Sequence, residues 1–317
     1  MHAPQASSTK PLTSDVGRRT SDVFSPATGE IVGTVPQLTR ADVDTAVDAA
    51  TAAWQRWSAL SGPEREKRMR TASAVARSRA EAIATLMARE QGKPYVQSLS
   101  EVKSACDCLE FYAGEAVRIT GEVLPTEGGQ FRSFVIRQSL GVVAAITPWN
   151  YPVALLAWKL GPALAAGNAV IVKPTPLTPL SPSAFCQALI EGGLGEGLIQ
   201  VLTGDDQEVA QPLVTHPGVA KIAFTGSTGP GRKLMALAGP AFKKITLELG
   251  GQCPAIVLAD ADVDLTAKAI VYKAIRNMGQ SCSAINRIYA HADIHDRLVD
   301  AVVARCAKLS IGDGLEP

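Results

Sequence analysis

The stretch NMGQSCSAINR, Asn277 to Arg287, sets one cysteine among small polar residues, after a glycine and a glutamine. As a thiolate, Cys282 would be a strong nucleophile toward a carbonyl carbon. A buried, inert thiol is the plainer reading. None of His2, His216, His291 or His295 stands at triad or metal-ligand spacing to activate it. The other cysteines, Cys106, Cys108, Cys186, Cys253 and Cys306, read as core thiols, with neither a disulfide framework nor a metal knuckle in their spacing.

Four further stretches could serve a carbonyl reaction. In TPWNYP, Pro148 and Pro152 fix the backbone around Asn150, whose carboxamide could donate to an oxyanion. The alternative is a turn asparagine capping the next helix. In LELGG, Glu248 is an acid amid apolar residues, which suits a general base; a salt-bridged structural acid is the alternative. In VIVKPTP, Lys173 offers a compact cation to sugar hydroxyls or phosphate, unless it is merely solvated. In FTGSTGPGRKL, Gly226, Gly229 and Gly231 open a helix where backbone amides could meet a phosphate, though their spacing is not G-x-G-x-x-G. Each signal is weak alone. Together they place a phosphate loop, a sugar-binding lysine, an oxyanion donor, a base and a thiol at the strand ends of one sheet.

The elements that must position them follow from the apolar runs. GVVAAITP, NAVIVKP, LIQVLTG, VAKIAFTG, KITLELGG and AIVLAD are short, rich in Val and Ile, and separated by helical segments. Those helices lie around Val153–Ala165, Leu180–Glu191, Gln207–Thr215, Pro230–Ala238 and Val263–Asn277. Continuous apolar strands between helices predict an α/β fold with a parallel sheet covered on both faces. Ligands in such sheets bind at the carboxyl ends of the strands.

The first third predicts helices instead. One starts at Thr39 or Asp42 and places Val43, Val47, Ala50 and Trp54 on one face. A second runs from a Ser61 cap, with Pro63 in its first turn, to a stop at Gly92; a third runs from Tyr95 through Ile119. Between Gly121 and Gly141, two extended runs flank Gly128 and Gly129 and predict a hairpin or arm. The N-terminus reads as a mobile tail up to Ser21, with no secretory signal.

The chain has 317 residues, of which 46% are hydrophobic and 19% charged, enough for about two soluble domains. Lys and Arg number 31 against 30 Asp and Glu, so the net charge of +1 steers the chain toward neither nucleic acid nor anionic membrane. The longest apolar run, Tyr151 to Val172, is interrupted by Lys159, Pro162, Gly167 and Asn168 and predicts a buried helix and strand. Reduced thiols in the cytoplasm are the expectation.

TPWNYP, GPALAAGNAVIVKP, FTGSTGPGRKLM, LELGGQCP and RNMGQSCSAINR, in this order and spacing, resemble the aldehyde dehydrogenase superfamily from about Phe24 onward. The resemblance implies a Rossmann-like NAD(P)-binding domain over 22–122 and 141–249, a bridging oligomerisation arm over 123–140, and the start of an α/β catalytic domain over 250–317. It also implies roles. Cys282 would attack the aldehyde, and Asn150 with the Cys282 amide would hold the oxyanion. Glu248 would activate water, with Lys159 in the proton route behind it. The cofactor, NAD or NADP, would meet Lys173 at its ribose and Gly226, Ser227 and Gly231 at its pyrophosphate. Ile146, Pro148, Trp149, Leu249 and Gly250 would line the rest of its path. No metal is implied.

Three departures from the family pattern matter. Pro176 stands where many NAD-preferring relatives carry Glu, which leaves NADP open. Gln252 replaces a usual Lys after ELGG, without an evident consequence. LSIGDGLEP ends where the family normally continues, so a C-terminally truncated member is expected, homo-oligomeric if full length. The implied substrate is a small aldehyde. Arg276 matches an arginine that succinate-semialdehyde dehydrogenases use for a distal carboxylate, while the position of their second arginine is Trp158. Tyr151 and Trp158 resemble instead the aromatic box of betaine- and aminoaldehyde dehydrogenases. The expectation is a semialdehyde such as succinic semialdehyde. The alternatives are a betaine or aminoaldehyde enzyme, a coenzyme A-acylating relative that Glu248 argues against, and a cofactor-binding fragment without turnover.

Overall fold

The computed structural model describes residues 19–316. The predicted tail lies outside these up to residue 18, and its last two residues, Thr20 and Ser21, belong instead to a strand. That strand, β1 (Thr20–Phe24), pairs antiparallel with β2 (Ile31–Pro36), a hairpin that no alternation in the sequence had marked.

Helix α1 (Arg40–Ser58) begins at Thr39, whose amide donates to Asp42 Oδ2 at 2.9 Å. It buries Val43, Ala46, Val47, Ala50, Ala53 and Trp57; Trp54 sits at the edge of this face and donates Nε1–H to Ser139 Oγ at 2.8 Å. The long helix predicted from Ser61 is two helices, α2 (Gly62–Ser78) and α3 (Ala80–Gln91). They break at Arg79, where φ is −101° and ψ is 9°. No glycine or proline marks the break, so the sequence carries no local signal for it. Gly92, at φ 86°, ends α3 in the left-handed conformation a helix stop favours. Pro94 then opens α4 (Tyr95–Ala116). Beyond it, β3 (Glu122–Leu124) and β4 (Ser133–Val135) form an exposed antiparallel arm.

The central sheet follows as β5 (Val142–Thr147), α5 (Ala154–Ala165), β6 (Ala169–Pro174), α6 (Leu180–Leu189), β7 (Ile199–Val201), α7 (Gln211–Thr215), β8 (Val219–Gly226), α8 (Thr228–Ala238) and β9 (Lys244–Leu249). Its order is β7-β6-β5-β8-β9, and every pairing is parallel. The chain runs outward from β5 to one edge and then returns to β8 on the other side. The crevice for a ligand therefore opens between the ends of β5 and β8. Strands β5 and β6 are buried throughout. Edge strand β9 alternates between exposed and half-buried residues.

Two of the covering helices are capped from far away. Glu90, on α3, accepts from the amides of Leu180 and Ser181 at 2.8 and 2.7 Å and so caps α6. Glu101, on α4, accepts from the amides of Val153 and Ala154, both at 3.0 Å, and caps α5. A carboxylate at a helix N-terminus satisfies orphan amides and opposes the helix dipole. Both acids are buried.

After Gly250 and Gly251 a second unit begins: β10 (Cys253–Val257), α9 (Val263–Ile275), β11 (Ile285–Ala290) and α10 (His295–Cys306). Strands β10 and β11 pair in parallel. Val257, Ala267, Ile270, Ile294 and Leu298 form its small separate core. No described helix is long and apolar enough to cross a membrane.

Candidate active site

Parallel pairing brings the sequence motifs to one edge. Thr147 stands opposite Pro174, Ile146 opposite both Lys173 and Phe224, Thr225 opposite Glu248, and Gly226 opposite Leu249. Three clusters of side chains occupy this edge.

The first is built on Asn150. Its Nδ2 donates to the carbonyl of Gln280 at 2.9 Å, two residues before Cys282. Its own carbonyl accepts from Lys93 Nζ at 2.7 Å and from Asn277 Nδ2 at 2.8 Å. Lys93 is buried; it pairs with Glu101 at 2.6 Å and lies 4.3 Å from the centre of the Tyr151 ring. Burial pulls the Lys93 ammonium below its ordinary range, and the charge of Glu101 opposes that pull. One buried ion pair thus ties α4, the start of α5 and the Asn150 turn together. Sequence reasoning missed it. The available signal was an acid, Glu101, in the otherwise apolar or small buried stripe of α4.

The loop that carries Cys282 approaches from the second unit. α9 ends at Ile275, two residues before the predicted stop at Asn277, with Arg276 as its C-cap. Asn277 and Met278 take left-handed backbone at φ 54° and 57°, and Gly279 continues at φ 75°. Left-handed backbone costs an ordinary residue about 1–2 kcal/mol, here sustained by the bonds of Asn277 to Asn150 and from its own amide to Gln97 Oε1 at 2.8 Å. Cys282 is exposed, and its carbonyl accepts from the Cys253 thiol at 2.9 Å. Cys253 is therefore no core thiol. Nor is Cys306, which is exposed; Cys108 is half-buried against the core, and Cys106 and Cys186 are buried. Tyr151 is half-buried. Burial raises its phenol above the ordinary range, while Arg276 and a hydrogen bond to Ser281 pull the other way.

The second cluster lies across the crevice. Lys159, on α5, donates to Thr225 Oγ1 and to the Leu155 carbonyl. Burial lowers its ammonium to about 8, partly offset by Glu248. Lys159, Glu248, Trp158, Thr225 and Thr246 line a cavity of about 440 Å³. Glu248 is exposed, contrary to the apolar setting its neighbours in sequence suggested, because β9 is an edge strand. Trp158 is 59% exposed, so it does not simply pack. No hydrogen bond or ion pair joins Glu248 to Cys282 among the described residues.

The third cluster closes β6. Lys173 is buried, and its Nζ lies 3.2 Å from Asp206 Oδ1. Across the sheet, the first turn of α8 has no side-chain cap; Gly229, Gly250 and Gly251 face open space where a side chain would stand. Gly231 is tight instead, since a Cβ there would meet the Leu249 side chain at 2.7 Å. Among the described residues no group of three His, Cys, Asp or Glu side chains could hold a metal ion.

Comparison with known proteins fits this arrangement. Residues 13–317 match the sequence profile described as Aldehyde dehydrogenase family. The chain is 40% identical over 296 residues to a mitochondrial succinate-semialdehyde dehydrogenase of Arabidopsis thaliana, covering 93% of this chain and 56% of that protein. It is 42% identical over 298 residues to a glutarate-semialdehyde dehydrogenase of Pseudomonas aeruginosa, covering 94% of this chain and 62% of that protein. The crystal structure of an E. coli NADP-dependent enzyme superposes with a TM-score of 0.92 at 39% identity, over 94% of this chain and 62% of that one. The chain thus spans roughly three-fifths of the length of the relatives it matches.

Proposed function

Because this chain belongs to the aldehyde dehydrogenase family, we propose that it carries the nucleophile, oxyanion donor and dinucleotide-binding edge of an enzyme oxidising an aldehyde to a carboxylic acid. The Cys282 thiolate adds to the carbonyl carbon, and the electron pair of the C=O bond moves to oxygen. Asn150 Nδ2 and the Cys282 amide donate to that oxygen. The observation that carries this reading is the bond from Asn150 to the Gln280 carbonyl, which holds the carboxamide against the cysteine loop. A donor fixed before the reaction costs no reorganisation when charge develops.

The open glycines and uncapped first turn of α8 fit the pyrophosphate of a dinucleotide, and buried Lys173 fits a ribose. Ser227, Gly226 and Gly231 would hold the first, with Ile146, Pro148, Trp149, Leu249 and Gly250 along the path between. NAD or NADP, when bound, supplies the acceptor for the hydride that leaves the thiohemiacetal carbon, so a thioester remains on Cys282. Glu248 takes a proton from water, the resulting hydroxide adds to the thioester, and the carbon–sulfur bond breaks. Lys159, poised near neutrality beside Glu248, relays the proton outward.

A semialdehyde with a distal carboxylate is the favoured substrate. Arg276 supplies a cation close enough to Tyr151 to shift it, and relatives named for succinate and glutarate semialdehydes are about 40% identical. An aromatic box for a cationic aldehyde is disfavoured, because Lys93 already stands over the Tyr151 ring.

The test follows nicotinamide reduction by the purified chain, with NAD and NADP each offered succinic semialdehyde, betaine aldehyde or a neutral aliphatic aldehyde. Reduction fastest with succinic semialdehyde and abolished by Cys282→Ala is expected. A folded chain that binds dinucleotide yet reduces none of it overturns the catalytic proposal and leaves a cofactor-binding unit.

A further inference from the structure

Lys173 closes β6 with its side chain only 3% exposed, yet it meets a carboxylate that is 80% exposed, that of Asp206. This acid comes from the turn after β7. Its neighbour Asp205 is committed elsewhere. Asp205 Oδ1 accepts from the amides of Gln207 and Glu208 at 2.8 and 2.7 Å, capping the helical segment that leads into α7. Asp206, the first residue inside that cap, is left to face the lysine. Pro176, three residues beyond Lys173, brings no charge, and Glu208 adds a further exposed acid to the same turn.

We propose that Asp206 sets the dinucleotide preference: beside Lys173, which donates to the adenosine ribose, its carboxylate accepts from the ribose 2′-hydroxyl and turns away a 2′-phosphate, so the chain takes NAD over NADP. This rests on the dinucleotide-edge reading above. A hydroxyl has a proton to donate to a carboxylate. A phosphate monoester carries about −1.5 to −2 charges near neutrality and meets that carboxylate as a like charge. Lys173, already neutralised at 3.2 Å, has no uncompensated charge to offer the phosphate. Asp206 thus does from another turn what an acid at position 176 would do. The same fold occurs in an enzyme described as NADP-dependent and in one solved in complex with nicotinamide adenine dinucleotide, so backbone architecture leaves the choice to side chains.

Equilibrium binding tests the proposal without turnover. NAD and NADP are titrated separately into the full chain by calorimetry, at low and high salt, for wild type, Asp206→Asn and Asp205→Asn. Wild type should bind NAD at least roughly tenfold tighter than NADP. Asp206→Asn should shrink that ratio at least about fivefold, chiefly by tightening NADP, and salt should narrow the wild-type gap. Asp205→Asn should leave the ratio unchanged, since asparagine caps a helix as well as aspartate does. Equal binding of the two dinucleotides to wild type, or an unchanged ratio in Asp206→Asn, overturns the assignment while sparing the edge as a site. Failure of both dinucleotides to bind any of the three folded proteins overturns the site itself, and the assignment with it.

Discussion

Replacing Glu101 with glutamine should unfold this protein far more readily than its single lost charge suggests. The carboxylate and the Lys93 ammonium are 2% and 1% exposed and 2.6 Å apart. Removing one partner of a buried pair typically costs about 3–5 kcal/mol, because the other charge is stranded. Two features pull the expectation to the lower end. Lys93 keeps its bond to the Asn150 carbonyl, and its ammonium is already pulled toward the neutral form by burial. The amide of glutamine can still accept from Val153 and Ala154, so the cap on α5 survives. About 3 kcal/mol is the result, against at most about 0.5 kcal/mol for the exposed pair of Arg70 and Glu66 on α2. Urea unfolding followed by far-ultraviolet circular dichroism measures both, together with Lys93→Met and the double variant. The double variant should cost less than the sum of the singles by at least about 1 kcal/mol, since neither charge is then stranded. Strict additivity, or a Glu101→Gln cost no larger than that of Glu66→Gln, would refute the reasoning.

Three further outcomes follow from the same structure. Lys159 is lowered from 10.5 to about 8 in the fold, so the native state binds fewer protons between those values. Its cost, roughly 3 kcal/mol, is full below pH 8 and fades as pH rises toward 10.5; the stability advantage of Lys159→Met at pH 7 should shrink correspondingly. Glu90 goes the other way: burial raises its carboxyl to about 7 despite three donors, so its contribution to stability is present at pH 4.5 and lost as pH climbs through 7. A Glu90→Gln variant should therefore show a flatter stability profile between pH 4.5 and 7. At Gly192, a Cβ would come within 2.5 Å of the Ala72 Cα, and Gly192→Ala should cost about 1–3 kcal/mol, read as a shifted urea midpoint at constant slope.

The parallel sheet was legible because β5 and β6 are buried on both faces and so are apolar until their last residues, Thr147 and the Lys173–Pro174 pair. The strand ends were legible because proline and glycine punctuate them. What escaped has a common cause. The starts of α5 and α6 were placed to within a residue, but the acids that cap them, Glu101 and Glu90, are remote in sequence and left no local signature. The break at Arg79 falls at no helix-breaking residue. Strand β11 is mostly exposed and shows no clean period. At the site, local motifs led to Cys282, Asn150 and Lys173, and the family resemblance added Lys159. Their partners Gln280, Thr225 and Asp206 are set by tertiary approach, as is the exposure of Glu248, and no spacing rule reaches that far.

The sheet order also fixes a timetable for synthesis. β5 is the middle strand, but its neighbour β8 is made roughly seventy residues later. At about 5–20 residues per second, one edge of a largely apolar strand waits roughly 4–15 seconds on the ribosome for its partner. During that interval VVAAIT is a bare template for any other extended segment. A nascent chain arrested near residue 215 should crosslink to holdase chaperones through β5, whereas one arrested beyond residue 280 should not. The hazard to this protein in the cell would then lie less in its finished fold than in the order in which its strands are delivered.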